Sequence, residues 1–95
     1  MPSDQLEQTV GFLVSGRVQR VGYRWWTRGK ASSLGLSGTV RNLADGDVEI
    51  QVCGPFAAIK EMKDLLLVGP PAAIVESVQT FPVEKTIPKG FRVLP

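Results

Sequence analysis

The sequence contains no histidine and a single cysteine, Cys53. Without histidine there is no phosphohistidine chemistry, no imidazole acid or base, and no imidazole metal ligand. One thiol cannot close an intramolecular disulfide. Cys53 also lies far along the chain from the arginine loop, so it reads as a small core residue rather than a nucleophile. No cluster of carboxylates or thiols has the spacing of a metal site; Asp45 and Asp47 flank Gly46 and read as solvated hairpin residues. No apolar run reaches the roughly 18 residues of a membrane span. The opening residues, Met1 to Gln8, are polar and acidic, resembling neither a secretory signal nor an Arg-rich transit peptide. Residues 1–8 are therefore expected to form a flexible lead-in, followed by one domain over residues 9–95. With the lone cysteine, this gives the expectation of a cytoplasmic protein that does not engage membranes. One further absence is local. Between Gly16 and Asn42 there is no Asp or Glu, while Arg17, Arg20, Arg24, Arg28, Lys30 and Arg41 all fall in that stretch.

What is present bounds the class. Ninety-five residues, 43% apolar and 21% charged, make one small globular domain with a modest core. A net charge of +2 is too weak for a chain whose task is gripping nucleic acid. The one-signed stretch favours a small anionic ligand, although charge alone is equally consistent with a solvated basic face.

Periodicity orders the elements. Thr9 to Ser15 alternates Val10, Phe12 and Val14 on one side, a strand pattern. After an Arg- and Gly-rich loop, Tyr23, Trp26, Ala31 and Leu34 recur at helical intervals and Gly35 supplies a C-terminal stop. Gly29 weakens that helix by about 1 kcal/mol relative to alanine, so packing must support it. Leu36 to Leu43 reads as a strand, Asp45-Gly46 as a hairpin turn, and Val48, Ile50 and Val52 as one face of the return strand. Gly54-Pro55 opens a second helix, with Phe56, Ile59, Met62 and Leu66 as its buried stripe and Gly69-Pro70-Pro71 as its stop. Ile74 to Phe81 is a strand whose uneven alternation predicts a bulge or an edge, and Phe91-Arg92-Val93 adds a short last strand. The order βαββαβ predicts an α+β, ferredoxin-like sandwich: a mostly antiparallel sheet with two helices on one face. That fold hosts enzymes, sensors and RNA binders, so function must come from a site.

The candidate site is Gly16-Arg17-Val18-Gln19-Arg20-Val21-Gly22-Tyr23-Arg24, running from a strand end into a helix start. Successive N–H groups of such a turn form an anion-binding concavity, and the helix dipole adds to it. Arg17, Val18, Gln19, Arg20, Val21 and Gly22 are thus the expected phosphate-binding cradle, joined by Arg24, whose planar fork bonds two phosphate oxygens. A second segment, Gly38 to Val48, brings Asn42 to the end of the second strand, where it is either a site residue or a turn residue bonding local backbone. Of the other residues that draw attention, Trp25 and Trp26 are expected to split between surface and core, and Thr27 to bond either within the site or back along its helix.

Together the two segments resemble the signatures of the acylphosphatase family. Gly16, Val18, Gln19, Val21, Tyr23 and Arg24 match its glycine–any–valine–glutamine–glycine–valine–any–aromatic–arginine stretch, and Gly38, Val40, Asn42, Gly46 and Val48 match its asparagine-bearing strand and hairpin. Thr27, Ala31, Leu34-Gly35-Leu36 and Gly54-Pro55 fit the same pattern, so the resemblance covers nearly the whole chain. It implies the ferredoxin-like fold, cytosolic hydrolysis of acyl phosphates without cofactor or metal, a phosphate-binding role for Arg24 and a water-positioning role for Asn42. Two positions depart from it. Arg20 stands where the family usually has glycine, and if its φ is positive the side chain costs roughly 1 kcal/mol. Thr39 replaces an aromatic residue.

The chemistry missing from the sequence agrees with that implication. A site without nucleophile, metal or strong acid can still accelerate phosphoryl transfer by placing charge and a water, but only for a leaving group that departs unprotonated. A carboxylate leaving a carboxylic–phosphoric anhydride qualifies; an alcohol leaving a phosphomonoester does not. The expected partners are a small acyl phosphate and the inorganic phosphate released, with the protein acting as a monomer. The rival reading is a ferredoxin-like module that binds phosphate, a phosphorylated metabolite or RNA without turnover. RNA readers of this shape expose aromatic residues on central strands, and the strand aromatics here are only Phe12, Phe81 and Phe91.

Overall fold

A computed structural model describes residues 7–95. Residues 1–6 of the expected lead-in lie outside the described residues, and its last two, Glu7 and Gln8, already belong to the first strand. The elements follow in the order β1 (Glu7–Arg17), α1 (Tyr23–Ser33), β2 (Ser37–Asn42), β3 (Val48–Pro55), α2 (Phe56–Val68), β4 (Ile74–Pro82) and β5 (Phe91–Val93). The sheet runs β4-β1-β3-β2-β5. Its first four strands pair antiparallel, and β5 lies parallel to β2. Two helices on this mixed five-stranded sheet make the ferredoxin-like α+β sandwich. Among the described residues no helix is long and apolar enough to cross a membrane.

The register explains the core. Phe12 faces Ile50 and Val14 faces Val48 across β1 and β3, while Val40 faces Ile50 across β2 and β3. These side chains share one pleat and are essentially fully buried. From above, α1 contributes Tyr23, Thr27 and Ala31, spaced four apart on one stripe. The second helix contributes Ile59, Met62 and Leu66. The Tyr23 hydroxyl crosses between the helices to donate 2.7 Å to the Leu66 carbonyl, so the ring packs without leaving a buried donor unpaired. The α1 end is a Schellman closure. Gly35 at φ 71 lets the Leu36 N–H reach Ala31 O at 2.9 Å and its own N–H reach Ser32 O at 3.1 Å.

Three expectations are corrected. Phe56 is half exposed and not part of the α2 stripe, because in the first helical turn it overhangs a groove at the end of the sheet. Cys53 is only partly buried. It stands one residue out of phase with Val48, Ile50 and Val52, which places it on the pleat facing away from the helices. Thr27 is fully buried, yet its Oγ1 bonds neither to the site nor back along the helix. The two tryptophans divide as expected: Trp26 packs against the core with its ring tilted at 52° to that of Tyr23, centroids 5.4 Å apart, whereas Trp25 is exposed. The uneven pattern of β4 has both expected causes. It is an edge strand, and Ser15 faces Ser77 while Gly16 faces Val75, so Glu76 is an extra, unpaired residue.

Candidate active site

That bulge is the first step in building the site. At Gly16 the backbone turns to φ 125, and a Cβ there would strike Ile74 O and lie 2.8 Å from Glu76 N, so glycine is required. The chain then leaves the sheet at Arg17 and enters α1 at Tyr23. Val18 is buried at 1% exposure and anchors the loop between them. Gln19 turns its amide toward the β2–β3 hairpin, where Nε2 donates to Leu43 O and to Asp47 O, each at 2.8 Å. Arg20 has φ 64 and is the one non-glycine residue with positive φ among those described. No side chain caps the first turn of α1 and no acidic residue lies in it. Among the described residues, no backbone hydrogen bond outside the regular elements uses the N–H groups from Val18 to Trp25. The loop and helix start therefore hold a run of free donors at the positive end of a helix dipole.

Asn42 is the last residue of β2, opposite Val48. The hairpin after it is closed by Leu43 N–H to Asp47 O at 2.8 Å and by Asp47 N–H to an Asp45 carboxylate oxygen at 3.0 Å. The Asn42 side chain takes no part in that turn, and its Oδ1 is buried with no hydrogen-bond partner. Arg24, in the first turn of α1, donates from Nη1 to Leu94 O at 2.6 Å, just beyond β5. That bond fixes one corner of the guanidinium and leaves the other donors of the fork unused.

These groups meet in one concavity of about 200 Å³, walled by Val18, Gly22 and Tyr23 and carrying Arg20, Arg24, Asn42 and Trp25. The structure thus brings Arg24 and Asn42 together, although they come from different elements. Of the expected cradle residues, Arg17, Gln19 and Val21 do not line the concavity. Arg17 pairs with Ile74 at the end of β1, Gln19 reaches the hairpin, and Val21 packs against the core. A larger groove of about 530 Å³ runs between α2 and the far end of β1, walled by Val10, Phe12 and Ile59, and touches none of the expected site residues. Two neighbours of the concavity went unread in the sequence. Helical spacing divides Trp25 and Trp26 between surface and core without saying which borders the concavity, and the Leu94 carbonyl left no signal because every residue has one.

The electrostatics are simple. Among the described residues the one ion pair is Arg41 with Glu49, at 2.9 Å on an exposed strand face. Arg20 and Arg24 have no carboxylate partner among those residues, and no group of three or more His, Cys, Asp or Glu side chains gathers to hold a metal. The buried Tyr23 phenol is pushed well above its ordinary pKa of 10.0 by desolvation, so it enters the wall as a neutral hydroxyl. The site can therefore hold a small oxyanion between free N–H groups and a guanidinium, with one unpaired amide oxygen beside it.

Comparison with known proteins agrees with that chemistry. A family model described as acylphosphatase matches residues 10–93. An acylphosphatase of Alkalilimnicola ehrlichii is 48% identical over 83 residues, 87% of this chain and 93% of its own. One from Halorhodospira halophila is 46% identical over 80 residues, 84% of this chain and 87% of its own. Among solved structures, an acylphosphatase from Coxiella burnetii superposes with a TM-score of 0.88 at 39% identity, covering 93% of each chain. With the family model spanning β1 to β5 and relatives this similar along nearly their whole length, the chain belongs to the acylphosphatase family.

Proposed function

We propose that the enzyme hydrolyses small acyl phosphates to a carboxylate and inorganic phosphate, with the phosphoryl group held by the Val18–Gly22 backbone and Arg24 and with the attacking water placed by Asn42. The observation that carries this reading is the buried, unpartnered Oδ1 of Asn42 in the same concavity as Arg24. An acceptor without a donor costs free energy where it sits, and a water in that position supplies the missing donor. The water oxygen forms its bond to phosphorus as the bond from phosphorus to the acyl oxygen breaks. The electron pair leaves with the carboxylate, and the water proton passes to a phosphoryl oxygen. Free N–H groups and the remaining Arg24 donors stabilise charge on the phosphoryl oxygens as the transition state forms. Asn42 cannot remove a proton from water, so the mechanism depends on a leaving group that needs none. Arg20 adds a second cation at the mouth, and the protein acts as a cytosolic monomer, without metal.

The test is phosphate release from benzoyl phosphate in the presence of a chelator. Arg24→Ala and Asn42→Ala should each lower kcat by about 10²–10³-fold. Arg24→Ala should also weaken inhibition by inorganic phosphate, and Asn42→Ala should leave it nearly intact. Near-normal turnover in either variant refutes the assignment of that residue. A folded wild-type protein that binds phosphate without turnover supports a binding module instead, the reading to which the left-handed backbone of Arg20, in the loop beside Arg24, is relevant.

A further inference from the structure

The concavity that holds Arg24 and Asn42 is about 200 Å³. That is below the roughly 300–1,000 Å³ of pockets that engulf a small molecule. It accepts a phosphoryl group and leaves the rest of an acyl phosphate outside. What the acyl group meets is therefore decided at the mouth. Val18 and Tyr23, the apolar residues of the wall, are each only 1% exposed and offer little surface there. Trp25 is different: it borders the concavity next to Arg24 and is 65% exposed. A tryptophan left open to water at that level gains nothing for the core, whereas Trp26 beside it packs against the hydrophobic cluster. One turn further along α1, the guanidinium of Arg28 lies 6.0 Å from the Trp25 ring centroid, close enough for a cation–π contact that biases the ring's orientation.

We infer that Trp25 is the platform for the acyl half of the substrate and that the enzyme prefers acyl phosphates whose acyl group is flat and apolar, such as an aromatic acyl, over those with a short aliphatic one. This rests on the reading of the site as an acyl phosphate hydrolase. With the phosphorus fixed in the loop, the carbonyl carbon lies one bridging oxygen away, and a planar substituent on it reaches the indole face at the rim. An acetyl group has too little surface to gain from that contact. Trp25 touches no group that reacts, so it sets which substrate is taken and not how fast the anhydride is cleaved once bound.

The experiment measures kcat/KM for benzoyl phosphate and for acetyl phosphate in the wild type, Trp25→Ala and Trp25→Phe, with inorganic phosphate as a competitive inhibitor. Each substrate is compared with itself across the variants, so the differing intrinsic reactivity of the two anhydrides cancels. Trp25→Ala should lose about 5- to 10-fold on benzoyl phosphate, while acetyl phosphate and phosphate inhibition change by less than about 2-fold. Trp25→Phe should keep most of the benzoyl preference. Equal losses on both substrates, or no loss on either, overturn the inference while leaving the hydrolase reading in place. A wild type that turns over neither substrate overturns the hydrolase reading, and the inference falls with it.

Discussion

Arg20 holds its backbone at φ 64 in the loop beside Arg24, a conformation that glycine adopts freely and that costs a side-chain-bearing residue roughly 1 kcal/mol or more. The sequence pointed to this residue as the one out of pattern, and the strain lies there. Arg20→Gly should therefore stabilise the fold by about 1 kcal/mol, seen as a higher urea midpoint at unchanged slope. Phosphate should at the same time bind more weakly if the exposed guanidinium adds to the field at the mouth. A variant less stable than the wild type would mean that the Arg20 side chain makes contacts that outweigh its backbone strain. The same reasoning separates the legible residues from the illegible ones. Arg24 and Asn42 could be named because the two segments that carry them resemble the family's signatures, and both line one concavity. Leu94 could not, since its contribution is a carbonyl 70 positions beyond the arginine it holds.

Between elements, the Gln19 amide joins the loop between β1 and α1 to the hairpin that follows Asn42. Its two bonds, to Leu43 O and Asp47 O, each supplement a carbonyl that already accepts one backbone N–H. Gln19→Ala should then cost about 1–2 kcal/mol of stability in urea unfolding rather than the larger penalty of an orphaned group. Turnover should fall more than phosphate affinity, because the hairpin loses its tether while the loop keeps its donors. Equal loss of both would place Gln19 in the phosphate cradle itself, where sequence reading had put it. The direction of the Gln19 side chain was not legible in the sequence, for a physical reason. Local pattern fixes that a loop residue lies beside a helix start, but which way its side chain turns depends on carbonyls offered by strands far along the chain. Strand phase was legible in Val48, Ile50 and Val52, and the same alternation, followed one residue further, would have put Cys53 on the other pleat. The α2 stripe was legible through Ile59, Met62 and Leu66. It failed at Phe56 because a helical period says nothing of where the underlying sheet ends.

At the scale of the whole molecule, the sole tyrosine links pH to stability. Tyr23 is 1% exposed, and burial raises its pKa above 10.0. Below about pH 10 the phenol is protonated in both folded and unfolded chains and contributes no pH dependence. Above it the unfolded chain releases the proton and the folded chain does not, so the unfolded state binds fewer protons. Stability should fall by about 1.4 kcal/mol per pH unit from this group until the folded phenol itself ionises. Ultraviolet titration should show tyrosinate only as the protein unfolds, and Tyr23→Phe should flatten the alkaline slope at the cost of the bond to Leu66 O. Tyrosinate appearing in the folded protein near pH 10 would refute the linkage.

The strand order carries a consequence for how the chain is made. β1 leaves the ribosome first among the strands, yet one of its edges is met only by β3, in pairings from Glu7 with Pro55 to Val14 with Val48. Its other edge is met by β4, which begins at Ile74. Until β3 has emerged this strand has no lasting partner on either side, and until β4 has emerged it has one on only one side. The domain's folding must therefore wait until β4 has emerged, and refolding is governed by closing long loops, which places it toward the slow, millisecond-to-second end for a domain of this size.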